Sequence, residues 1–139
     1  MPELDDLEFE PDEEKAPATV AERIAALRFA AEDGHAESMF LLGVAYAQGH
    51  GVEKNQTEAA RWFHEASRAG HSRAKVSLGY LYSKGHGVRL DVILAFLFLS
   101  EASTAGDVLA PDLLTKLRRQ MSPSQIKEAT RRTKGRRIG

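Results

Sequence analysis

Five histidines, His35, His50, His64, His71 and His86, are the residues of this chain whose chemistry first asks for a role. An imidazole can ligate a metal, move a proton or fill a polar turn, and spacing separates these uses. His35 and His71 stand 36 residues apart, as do His50 and His86. Each pair therefore marks one place in a duplicated unit. The first pair precedes a helical pattern and the second follows it. A helix of about thirteen residues is about 20 Å long, so the two sets lie on opposite edges. Within a set the neighbours are one unit apart, and even adjacent helices pack about 8–10 Å apart. Shared ligation needs each nitrogen about 2.0–2.1 Å from an ion. A two-histidine site is conceivable, but no third ligand is evident. The four are read as polar turn residues copied with the unit. His64, beside Trp62 and Phe63, is read as a helix-surface residue. No metal and no cofactor are expected.

Other reactive constellations are also missing. The chain has no cysteine, which excludes disulfides, zinc–thiolate and iron–sulfur sites and a thiol nucleophile. Gly-His-Gly-Val occurs after helices rather than between a strand and a helix, so it is not a phosphate loop. There is no Gly-x-Ser-x-Gly elbow. The carboxylates are scattered, with no pair in an apolar setting. No catalytic residue is assigned, and the protein is expected not to be an enzyme.

The elements that carry these residues follow from a repeat. Shifting the sequence by 36 aligns residues 34–69 with 70–105, and fourteen positions are identical. Among them are Leu42/Leu78, Gly43/Gly79, Tyr46/Tyr82, Gly49/Gly85, Gly51/Gly87, Ala59/Ala95 and Ala66/Ala102. Trp62 faces Phe98. Each unit reads as helix, turn, helix. Met39, Leu42, Ala45 and Tyr46 make a stripe of period 3.6 over 36–48. Glycine then ends the helix, because it takes positive φ without a Cβ penalty. Asn55, with Glu58 three residues on, caps the second helix, and Asp91 stands at the same place in the second unit. Ala59, Trp62, Phe63 and Ala66 form the buried side of that helix. Gly43 and Gly79 sit mid-helix, where glycine costs about 1 kcal/mol relative to alanine. They are expected to let a neighbouring helix approach, with Ala59, Ala66 and their copies opposite.

The pattern Gly-x-x-x-Ala-x-x-x-Leu-Gly-x-x-Tyr-x-x-Gly-x-Gly-Val, followed by Asp, Ala, an aromatic and Ala-x-x-x-Gly, resembles the Sel-one-like repeat, a relative of the tetratricopeptide repeat. Ser38 and Asn55 depart from it, where the family usually has Ala and Asp. The resemblance implies an all-α fold, a short right-handed solenoid of helical hairpins. It also implies a non-enzymatic adaptor or scaffold that binds a peptide or another protein. Family members linked to β-lactams resemble disulfide-rich secreted proteins, unlike this cysteine-free chain.

The flanks complete about seven helices. Thr19 and Glu22 open a capping helix over 20–33. A C-terminal cap runs over 106–133, with Ala110, Leu113, Leu114 and Leu117 facing inward and Arg118 where tyrosine would stand. Ser122-Pro123-Ser124-Gln125 starts its last helix, read to about Thr133. The solenoid thus spans 19–133, and 134–139 is a basic tail. Residues 1–18 carry eight acidic residues against one lysine. Poor in apolar residues apart from Leu4, Leu7 and Phe9, this head is read as disordered. It either stays solvated or folds back on the basic tail or on a groove. In 116–139 nine basic residues face one acid.

With 139 residues, 42% of them apolar and 28% charged, the chain has the composition of one ordinary domain. No leader is visible, and the longest apolar run, Val92–Leu99, is eight residues, too short for a bilayer. A cytoplasmic protein with no membrane contact is expected.

Recognition should lie where the units differ. Positions 37, 40, 44 and 48 form one stripe beside the core stripe on the first helix. By resemblance, first helices line a concave groove. The candidate partner-binding residues are therefore Glu37, Phe40, Val44, Arg73, Val76, Tyr80 and Lys84, although Phe40 or Val76 could equally be core. A second surface is 92–99, where polar positions of the first unit have become apolar. It is covered by the C-terminal helix or the head, or else it joins a homodimer; a monomer is favoured. The basic tail makes a nucleic-acid accessory role the rival reading. Residues 107–139 hold no aromatic, so base stacking is unavailable and nucleic acid is disfavoured as partner.

Overall fold

The computed structural model describes residues 18–138, so the reading of the acidic head as disordered lies, but for Ala18, outside the described residues. Among these, seven helices and no strand occur: α1 (Val20–Glu32), α2 (Ala36–Gln48), α3 (Gln56–Arg68), α4 (Ser72–Lys84), α5 (Val92–Thr104), α6 (Ala110–Gln120) and α7 (Pro123–Ile138). Packing runs between neighbours from α1 through α6, and α7 returns onto α5. That is the nearest-neighbour architecture of a solenoid.

The helix boundaries have local causes. Backbone N–H groups of Glu22, Glu58 and Leu94 donate to the side chains of Thr19, Asn55 and Asp91, each across 3.0 Å. Ser122 and Gln125 cap α7 reciprocally, at 3.1 and 2.9 Å. Helices α2 and α4 use an unexpected cap. His35 Nδ1 accepts from the Ser38 N–H, and His71 Nδ1 accepts from the Ala74 N–H. His35 and His71 are thus helix caps rather than plain turn residues, whereas His50 and His86 lie exposed in the turns as read. Gly49 and Gly85 end α2 and α4 at φ 70°, in the left-handed region that favours glycine.

Three apolar clusters fill the spaces between layers. Ile24, Leu42, Ala45 and Trp62 make the first. Ala59, Phe63, Ala66, Ala74 and Leu78 make the second. Val76, Phe96, Leu99, Leu117, Met121 and Ala129 make the third. Leu42 and Leu78, the same repeat position, are fully buried. Burying a leucine stabilises the fold by about 1.5–3 kcal/mol.

The mid-helix glycines do admit close packing, mainly against larger side chains, with only Ala95 of the expected alanines among the nearest neighbours. A Cβ on Gly43 would lie 2.6 Å from Phe63 Cε1. On Gly79 it would lie 2.6 Å from Leu99 Cγ and 3.3 Å from the Ala95 carbonyl. Phe63 and Leu99 are repeat equivalents, so one contact is made twice with different side chains.

Helix α7 extends beyond Thr133, through residues read as a tail. Nothing in its sequence stops it there, and Glu128 bonds to both Arg131 and Arg132 one turn on. Its Ile126 and Ala129 pack on the cluster holding Phe96 and Leu99. Phe96 and Leu97 are buried. The inner side of the apolar run of α5 is therefore covered within the chain by α6 and α7, while Val92, Ile93, Leu94 and Phe98 remain partly buried.

Candidate protein-binding groove

Stacking α2, α4 and α6 side by side leaves a depression of about 560 Å³ along their common face. Its apolar lining comes from Val44 and Ala47 on α2, Val76, Tyr80 and Leu81 on α4, and Leu109 and Leu113 at the start of α6. Phe63 and Gln56 of α3 complete the floor. A second hollow of about 230 Å³ continues from it, sharing Tyr80 and Leu113 and adding Lys84, Leu99, Lys116 and Leu117. Tyr80 is 49% exposed and stands between the two. Large apolar side chains left in water are informative when they gather in one concave place.

The charged side chains that line the hollows are cationic. Lys54, Arg73, Lys84 and Lys116 line the two hollows, and no carboxylate does. Arg73 Nε donates to Asp107 Oδ2 across 2.8 Å, which holds the guanidinium at the mouth. Asp107 also accepts from the Leu109 N–H across 2.8 Å and so starts α6. Burial alone pushes its carboxyl up. The Arg73 hydrogen bond and the Leu109 and Ala110 N–H groups outweigh that and leave it below the ordinary value.

The seven residues singled out by spacing divide in two. Val44, Arg73, Val76 and Tyr80 line the larger hollow and Lys84 the smaller one. Val76 is also a buried member of the third cluster, so it forms floor rather than rim. Glu37 and Phe40 sit at the junction of the two units instead. His71 Nε2 donates to Glu37 across 2.7 Å, and the Phe40 ring stacks on the His71 imidazole with centroids 4.5 Å apart. Leu113, read as inward-facing, and Leu109 and Lys116 were not assigned to the groove, because α6 falls outside the duplicated pattern. Gly106 marks α6 as a further first helix, and first helices line the groove, so its exposed start was the available signal.

Two buried-edge pairs repeat as well. Arg28 donates to the Tyr46 hydroxyl across 2.8 Å, and His64 shares a hydrogen bond with the Tyr82 hydroxyl across 2.9 Å. Positions 28 and 64, and 46 and 82, are equivalent. His64 is therefore not a plain surface residue: it lies half-buried, edge-on to the rings of Tyr82 and Phe98. Burial, helped by nearby Arg68, lowers its pKa, while burial raises that of Tyr82. At the third copy Arg118 replaces the tyrosine and lies over the Phe96 ring instead, 5.4 Å from its centroid. Among the described residues no group of three His, Asp or Glu side chains gathers in a way that could hold a metal ion.

The Sel1 repeat model matches residues 36–71 and 72–107, two tandem units over half of the chain. The chain belongs to the Sel1 repeat family. The matched units begin two residues after the 34–69 and 70–105 division and cover the same hairpins. One similar solved structure is c5321, a protective antigen of uropathogenic Escherichia coli strains displaying an SLR fold. It shares 31% identity over 81% of this chain, with a TM-score of 0.77. Another is a Sel1 repeat protein from Oxalobacter formigenes, with 32% identity over 66% of this chain and a TM-score of 0.63. This chain spans 24% of the first and 37% of the second. No curated protein matches it significantly. Sel1 repeats are in general non-catalytic scaffolds for protein–protein interaction, and no helix among the described residues is long and apolar enough to cross a membrane.

Proposed function

We propose that this Sel1 repeat protein is an adaptor that holds a peptide or protein segment in the groove of α2, α4 and α6. One observation carries the reading: exposed Tyr80 and Leu109 join Val44 and Leu113 along one concave face. Aromatic and aliphatic anchors in such a depression supply most of the binding energy of helix-lined grooves. The basic-tail alternative has less support, since Arg131 and Arg132 are both engaged by Glu128.

The test is a comparison of proteins captured from the native host by the wild type and by Val44→Asp/Tyr80→Ala. Both positions face the groove, so helical circular dichroism should be unchanged. A partner lost from the double variant supports the groove; unchanged capture of every partner refutes it.

A further inference from the structure

Lys54, Lys84, Lys116 and the Asp107-paired Arg73 line the two hollows, with no carboxylate in the lining. Lys54, Lys84 and Lys116 make no ion pair among the described residues. A cationic apolar groove selects an anionic ligand with apolar anchors. The sequence Glu3-Leu4-Asp5-Asp6-Leu7-Glu8-Phe9-Glu10 has that composition, and the head as a whole holds eight acids.

Its point of attachment fits. Helix α1 begins against the α2–α3 turn, where a Cβ on Gly51 would meet Val20 Cγ1 at 2.5 Å. Lys54, in the same turn, lines the groove. The chain therefore leaves Val20 beside the groove's edge. Seventeen residues precede the described part, and extended they span up to about 56 Å. Three first helices at about 8–10 Å spacing present a face about 30 Å wide. Leu4, Leu7 and Phe9 can reach all of it.

Resting on the reading of this groove as the binding face, we infer that the head docks there in cis and competes with the partner. A tethered segment acts at an effective concentration of roughly millimolar. A contact of about 100 μM strength would then fill most grooves and weaken a competitor about tenfold. Raised salt would release it, because the attraction of exposed charges is screened over about 10 Å at 0.1 M.

The probe is a fluorescent peptide of residues 2–14, titrated by anisotropy into two full-length proteins: the wild type and Leu4→Ser/Leu7→Ser/Phe9→Ser. The peptide should bind the triple variant about tenfold more tightly than the wild type, with the gap closing in 0.5 M salt. Adding Lys54→Glu and Tyr80→Ala to the triple variant should abolish binding while circular dichroism stays helical. Equal affinity for wild type and triple variant would overturn cis docking. Binding insensitive to Lys54→Glu/Tyr80→Ala would place the head elsewhere and overturn it too. No binding to the triple variant would refute the head as ligand, whereas the groove itself is judged separately by the partner comparison above.

Discussion

Arg73 Nε reaches Asp107 across 2.8 Å at the place, one repeat on, where His71 meets Glu37 across 2.7 Å, and the polarity of the pair is reversed. The earlier unit supplies the acid and the later one the histidine; at the next junction the earlier supplies the arginine and the later the acid. Stacking fixes a contact between these positions, and the chemistry filling it varies. In the first junction the pair is joined by Phe40, packed on the imidazole; in the second it leaves Arg73 at the mouth of the groove.

Asp107 should therefore matter more for stability than its place in a turn suggests. It combines a hydrogen bond in the turn just before α6 with an ion pair, and Asp107→Ala should cost about 1–2 kcal/mol. Arg73 is 42% exposed, so water screens the charge component, which stays below about 1 kcal/mol. Because the folded pKa lies below the unfolded value of about 3.9, the charge contribution is complete above that pH. It is lost as pH falls through the lower folded value. Urea midpoints of wild type and Asp107→Asn should differ by a constant amount from pH 5 to 8 and converge in acid.

His64 gives the opposite sense of test. Its folded pKa is lowered by burial, so the unfolded chain binds a proton more readily. Stability should fall as pH drops below about 6.5 and level off beneath the folded value. His64→Gln should flatten that dependence in urea titrations. Tyr82→Phe removes the shared hydrogen bond and should cost about 0.5–1.5 kcal/mol at pH 7.

The two mid-helix glycines separate propensity from packing. Alanine gains about 1 kcal/mol of helix preference at either site. At Gly79 the new methyl would meet Leu99 near its branch point, a side chain 2% exposed, and the Ala95 carbonyl. Overpacking of this sort costs about 1–3 kcal/mol. At Gly43 it meets only the edge of the Phe63 ring, with no backbone atom among the nearest contacts, and that ring borders the open groove. Thermal denaturation should show Gly79→Ala as the more destabilised variant.

Covering α5 is the work of α7, and a charge at Ala129, which is wholly buried, should lift it off. Ala129→Arg should lose about 3 kcal/mol. By exposing Phe96 and Leu97 it should also raise the mass seen by light scattering, whereas the wild type keeps that surface covered.

Much of this fold was legible because the units are near copies. Helix limits at Ala36–Gln48 and after Asn55 follow from glycine and cap positions two or three residues long. What needed coordinates was what depends on stacking distance. His35 and His71 stand before helices, yet only geometry shows Nδ1 turned to the N–H three residues on. Glu37 and Phe40 share a helical stripe with Val44, but the stripe curves past the groove into the junction. Leu109 and Leu113 belong to a helix outside the duplication, so comparing units could not find them.

The account stands or falls on whether the concave face is where recognition happens. A photo-crosslinking residue placed at Tyr80, compared with one at Arg61 on the exposed side of α3, measures this directly in the native host. Adducts formed from position 80 and suppressed by Val44→Asp, with none in common from position 61, are the expected result. The same adducts from position 61, or adducts from position 80 indifferent to Val44→Asp, would contradict it.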